Sequence, residues 1–181
     1  YIGHQAFSYS PKLIIEVSSE NLSYSSHDGV FYNKNKTELL QFSLSYKGAF
    51  EVPNTVKIID AQSFGGCKEL KSIIIPESVT EIGFAAFDAC SNLESVILSE
   101  GLIYIVDRAF INCSSLKEID IPNTVLFIGH RAFDGTNLSS VIIPANENIK
   151  INGDAFDEGV EIIRSYYDAP LTYLVEGDGV T

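Results

Sequence analysis

At 181 residues, 45% of them hydrophobic and 11% aromatic, the chain is long enough to bury one continuous core and has the length of a single domain. Twelve Lys plus Arg against 24 Asp plus Glu give a net charge of −12, which disfavours nucleic acid and anionic membranes and suits a basic or neutral protein partner. No segment reaches the roughly 18 apolar residues of a membrane span, so no membrane insertion is expected of this stretch.

The chain opens on Tyr1-Ile2-Gly3, inside a motif that recurs further on, and it contains no methionine. It reads as a fragment that starts within a repeat, with further repeats or a capping unit expected upstream, since open solenoid ends need polar caps. Residues 21–44 depart from the motif. There Gly29 to Tyr32 and Thr37 to Phe42 alternate apolar and polar around Asn33-Lys34-Asn35-Lys36, which predicts a β-hairpin inserted in one coil.

From Phe64 onward a period takes over: Phe64, Phe87, Phe110, Phe133 and Phe156 stand 23 residues apart. The unit is L-x-x-I-x-I-P-x-x-V-x-x-I-G-x-x-A-F-x-x-C, clearest as LKSIIIPESVTEIGFAAFDAC from Leu70 to Cys90. Periods of 20 to 29 residues with apolar positions at i, i+3 and i+5 mark leucine-rich repeats, in which stacked coils bury what no single coil can. Leu70, Ile73 and Ile75 are expected to point inward, with Leu93, Val96, Leu98 and Leu116, Ile119, Ile121 above them in a parallel ladder.

Proline ends the strand at Pro53, Pro76 and Pro122, because it withholds a donor. Pro144 comes one residue early, which assigns a shortened turn at Thr136 and a restored phase near Asn146 to Asn148. Val79, Ile82, Ala86 and Phe87 turn inward again, and the phenylalanines are expected to stack along the axis. Gly83 and Gly129 suit a tight turn in which positive φ is open to them, yet Asp60, Val106 and Asn152 hold the same position in other coils, so the conformation is not extreme everywhere. Cys67, Cys90 and Cys113 share the period and read as small buried thiols. One column of three ligands is nearly collinear, which does not suit tetrahedral zinc.

Between the inward residues, Ser72, Ser95, Glu118 and Ser140 should form one outward column, and Ile74, Ile97, Asp120 and Ile142 a second. Isoleucine suits any strand, yet an exposed apolar strip with an acidic centre also suits a protein partner. These eight residues are the candidate binding surface. No catalytic residue emerges: His4, His27 and His130 belong to no triad, and the nucleophile, metalloprotease and phosphate-loop fingerprints are absent. Asn152, Asp154, Asp157 and Glu158 crowd oxygens near the last coil but lack the frame of a calcium loop, so no metal and no cofactor are expected. Residues 164–181 leave the pattern and read as a cap or a linker to a further domain.

The strings IPESVTEIGFAAFDACSNLESVIL and IPNTVLFIGHRAFDG resemble the BspA-like, or treponemal-type, leucine-rich repeats, and the resemblance extends over residues 1–163. It implies a mainly β, right-handed solenoid of 23-residue coils. It also implies secretion or cell-surface display, although no signal peptide is visible in this stretch. The function it implies is non-catalytic protein binding, such as adhesion to extracellular matrix or plasma proteins or attachment between cells. The alternative is a structural spacer or assembly scaffold displaying another domain.

Overall fold

A computed structural model describes residues 14–165 of the chain. The start at Tyr1-Ile2-Gly3, His4 and the tail after Ser165 lie outside the described residues. Within them the chain forms strands β1 (Tyr24–His27), β2 (Val30–Asn33), β3 (Glu38–Phe42), β4 (Gly48–Glu51), β5 (Ile58–Ile59), β6 (Leu70–Ile75) and β7 (Glu81–Ile82). There follow β8 (Ser95–Leu98), β9 (Tyr104–Ile105), β10 (Phe127–Ile128), β11 (Ser140–Pro144), β12 (Lys150–Ile151) and β13 (Glu161–Ser165).

Each coil contributes to two parallel ladders. The front ladder runs β4-β6-β8 and, separately, β11-β13; the back ladder runs β3-β5-β7-β9-β10-β12, extended at one edge by β2 and β1. The back rungs are only two residues long, yet their register is regular: Leu39, Ile59, Ile82, Ile105, Ile128 and Ile151 form one inward column. Between the ladders lies the core, with Leu70, Ile73, Ile75, Leu93 and Leu116 buried on the front side.

The hairpin forms as β2 and β3, with β1 added as a third strand. Its second arm has another role, because β3 pairs in parallel with β5 and so is also the first rung of the back ladder. Phe42 therefore enters the aromatic stack, 4.5 Å from Phe64, and the stack continues at 4.7, 4.9, 5.3 and 5.0 Å to Phe156. These distances match the spacing of neighbouring strands, so one ring fits each rung.

The recurrent Ala-Phe pair has a backbone reason. The Phe64, Phe87, Phe110 and Phe133 amides donate to the carbonyls of Ala86, Ala109, Ala132 and Ala155 in the next coil, at 2.7 to 2.8 Å. Phe42 does the same with the Ser63 carbonyl at 2.7 Å. Alanine lets the turns approach closely, and all four are fully buried. The cysteines complete the turn: Cys90 Sγ donates to the Phe64 carbonyl at 3.1 Å and Cys113 Sγ to that of Phe87 at 3.2 Å. All three thiols are buried and free.

Two expectations need correction. Gly83 and Gly129 do not adopt positive φ; what they supply is room, since a Cβ would stand 2.8 Å from the Ile59 carbonyl oxygen and 2.4 Å from the Asp107 amide nitrogen. The left-handed positions instead flank Phe64, Phe87, Phe110 and Phe133: Gln62, Ala85, Arg108 and Arg131 before them, Gly66, Ala89, Asn112 and Gly135 after them. And the front ladder is not continuous: Leu116, Ile119 and Ile121 point inward as expected, but their segment does not pair with β8. The shortened coil, in contrast, is as expected, since Asp120 pairs with Ile142 and Phe127 with Lys150, partners 22 and 23 residues apart.

Candidate interaction surfaces

The front strands set two outward columns by their register. Ser72 pairs with Ser95 and Ile74 with Ile97; after the break, Asp120 pairs with Ile142. The structure adds neighbours that the period alone did not reach: Ala49 and Glu51 lie below Ser72 and Ile74, and Glu161 and Ile163 above Ser140 and Ile142. The strip is solvated, with Ile74 39%, Ile97 53%, Ile142 42% and Ile163 41% exposed. Ser95, Glu118 and Asp120 are exposed too, while Ser72 and Ser140 are half-buried.

Within this face the eight candidate residues divide into two groups. Ser72, Ile74, Ser95 and Ile97 stand on the continuous sheet β4-β6-β8, and Asp120, Ser140 and Ile142 on the second piece, with Glu118 beside it. Between the pieces lies a cleft of about 280 Å³ lined by Ser95, Val96, Ile97, Leu98, Glu118, Ile119 and Asp120. The inward side chains feel it: Val96, Ile119 and Ile121 are 7%, 4% and 6% exposed, against 1% or less for Ile73, Ile75, Val141 and Ile143. The back of the same coils stays shut, because Tyr104 and Ile105 pair with Phe127 and Ile128.

A second surface was not legible from the period. Glu81, Tyr104, Phe127 and Lys150 are in register on the outer side of the back ladder. With Val106, Leu126 and Asn148 they line an open groove of about 610 Å³, where Tyr104 and Leu126 are well exposed. Its signal was an aromatic pair one period apart, hidden by the polar residues that hold the same position in other coils.

The remaining candidates are occupied by the fold. His130 Nδ1 lies 2.8 Å from Asp154 Oδ1, and the hydrogen bond from that imidazole holds the Asp154 carboxyl below its usual range. The Asp157 carboxylate accepts the Gly135 amide of the preceding coil at 3.0 Å. Asp107 likewise accepts the His130 amide at 2.9 Å, and Glu100 those of Asn123 and Thr124, both at 3.2 Å. Part of the negative charge thus ties coil to coil. Among the described residues no three His, Cys, Asp or Glu side chains gather as a metal site, and His27 stands by Asp28 at the hairpin.

Residues 41–162 match the family model described as the BspA type leucine rich repeat region, in six copies. Among solved structures, a leucine rich cell surface protein from Faecalibacterium prausnitzii is 30% identical with a TM-score of 0.75, over 90% of this chain and 45% of that one. The pneumococcal vaccine antigen PcpA is 26% identical with a TM-score of 0.70, over 83% of this chain and 39% of its own. A leucine-rich repeat protein from Bacteroides ovatus is 26% identical with a TM-score of 0.61, over 83% and 41%. The chain thus spans less than half the length of these three. No curated protein matches it.

Proposed function

The chain belongs to the BspA-type leucine-rich repeat family, and on that premise we propose that it is a non-catalytic binding module of a secreted or cell-surface protein, with the front ladder as its contact face. The observation that carries this reading is the outward column Ile74, Ile97, Ile142 and Ile163, apolar and solvated, with Asp120 in its midst. Coils tied together by the continuous back ladder and the ring stack hold such side chains at fixed spacing, so little entropy is lost when an extended partner lies across several of them. Apolar contact supplies affinity and the carboxylates of Glu118 and Asp120 supply register and discrimination.

The partner class that fits is a basic or neutral protein, and an extracellular matrix or plasma protein is the one to test first. The cell-surface description of the Faecalibacterium neighbour supports display outside the cell. The Tyr104–Phe127 groove favours a second reading, in which the contact face is the back ladder. A spacer role, in which neither face binds, is the remaining alternative.

Immobilised chain should capture one or more proteins from a matrix and plasma panel, and Glu118→Lys with Asp120→Lys should weaken that capture at least tenfold. Capture that survives both substitutions moves the site to the back groove or the hairpin. A folded chain that captures nothing supports the spacer.

A further inference from the structure

The groove on the outer side of the back ladder carries charges of opposite sign at its two ends. Along one column of that ladder stand Glu81, Tyr104, Phe127 and Lys150, in register on four successive rungs. Glu81 and Lys150 are thus three rungs apart, about 14 Å at the usual spacing of strands, too far to pair with each other. Among the described residues neither takes part in an ion pair. Between them the surface is apolar: Tyr104 is 46% and Leu126 39% exposed, and Phe127 is half-buried. An occupant that satisfies the whole column must bring a cation to Glu81, apolar groups to the centre and an anion to Lys150. The column itself, turned end for end, has that order.

We propose that the back groove takes a second copy of this chain, in a two-fold dimer whose solenoids run antiparallel. The axis lies between the two faces and crosses the ladder between the Tyr104 and Phe127 rungs. Tyr104 of one protomer then lies over Phe127 of the partner subunit, Glu81 meets Lys150 of the partner subunit, and the symmetry makes every contact twice. Aromatic pairs across the interface add to the apolar area they bury. The ion pairs fix the antiparallel order, since the parallel order would set glutamate against glutamate and lysine against lysine. The net charge of −12 on each copy opposes association, so the dimer is expected to be weak and to form toward the upper micromolar range. The proposal does not rest on the front-face reading: the core separates the two ladders, and the front columns stay open in the dimer.

Sedimentation equilibrium of the whole chain over a micromolar-to-millimolar series tests this. The expected result is a monomer–dimer equilibrium that Glu81→Lys and Lys150→Glu each weaken at least tenfold, because either change sets like charges together. An equimolar mixture of those two variants should dimerise again, and so should the chain carrying both changes. Tyr104→Asp should weaken association at least tenfold as well. Circular dichroism checks the fold of each variant; should one of them not fold, Glu81→Gln and Lys150→Gln should each still weaken association severalfold. A chain that stays monomeric throughout the series overturns the proposal. So does a dimer that Tyr104→Asp and the single charge changes leave intact, which places the contact elsewhere, or a mixture of the two charge variants that remains monomeric.

Discussion

Asp120 is bridged to Ile142 in the coil above it but not to Ile97 in the coil below, although all three belong to one outward column. Closing the ladder would press a carboxylate between two isoleucines and strip water from it, and aspartate is among the residues least suited to strands. The open rung lets that carboxylate stay hydrated. Asp120→Ile should therefore close the cleft, slow amide exchange over residues 95–98 and raise stability by about 1 kcal/mol, the upper range for a favourable cross-strand pair. Thermal unfolding followed by circular dichroism, with exchange measured in parallel, checks this. A lower melting temperature with unchanged exchange would show that Asp120 does not hold the cleft open.

The aromatic stack should carry much of the cohesion between coils. Phe110→Ala removes a fully buried ring with neighbours on both sides and should cost about 3–5 kcal/mol in urea unfolding. Phe156→Ala, at the half-buried end of the stack, should cost clearly less. Equal losses at both positions would mean that the rings act within coils and not along the axis.

Backbone conformation separates two small-residue sites. Gly101 has φ 120°, and a Cβ there would stand 2.1 Å from the Glu77 carbonyl oxygen, so Gly101→Ala should cost more than about 2 kcal/mol. Ala89 already bears left-handed backbone at φ 56°; Ala89→Gly relieves that strain and should shift stability by no more than about 1 kcal/mol, upward. Denaturant midpoints of the two variants, measured side by side, decide the matter.

Alkaline pH should loosen the fold. Burial, then the neighbouring Cys90, pushes the Cys67 thiol up; the hydrogen bond with Cys90, then burial, does so for Cys113; burial, then Asp28, pushes Tyr32 up to about 12. In each case the folded state favours the neutral form, so the unfolded chain gives up its proton first. The associated stability is intact below roughly pH 8.5, the ordinary thiol value, and falls as pH rises above it, with tyrosine adding from about 10. Unfolding midpoints from pH 7 to 11 should decline, and Cys67→Ala should flatten the decline between about 8.5 and 10. A constant midpoint across that range would contradict the assignment.

Much of this fold was legible because inward residues recur at fixed intervals: the phenylalanine and cysteine columns and the early Pro144 needed only counting. The outward columns followed from strand alternation. Phe42 was hidden because its arm reads as a hairpin, lacks the Ala-Phe signature and lies 22 residues from Phe64. The left-handed positions were hidden because glutamine, alanine and arginine alternate there (Gln62, Ala85, Arg108, Arg131) and none of them marks positive φ; the turn geometry imposes the conformation on whatever residue falls there. The break beside β8 escaped for a different reason: Leu116, Ile119 and Ile121 keep the inward pattern intact, and only the pairing of one rung with the next reveals that it is open.

The most direct test of the front ladder as the contact face compares three proteins on the same captured partner by surface plasmon resonance: the unaltered chain, a front variant with Ile97→Lys and Ile142→Lys, and a back variant with Tyr104→Asp and Phe127→Asp. Each must first show unaltered circular dichroism. The account predicts at least tenfold weaker binding for the front variant and little change for the back one. Retained binding in the front variant with loss in the back variant would contradict it and place the contact at the Tyr104–Phe127 groove.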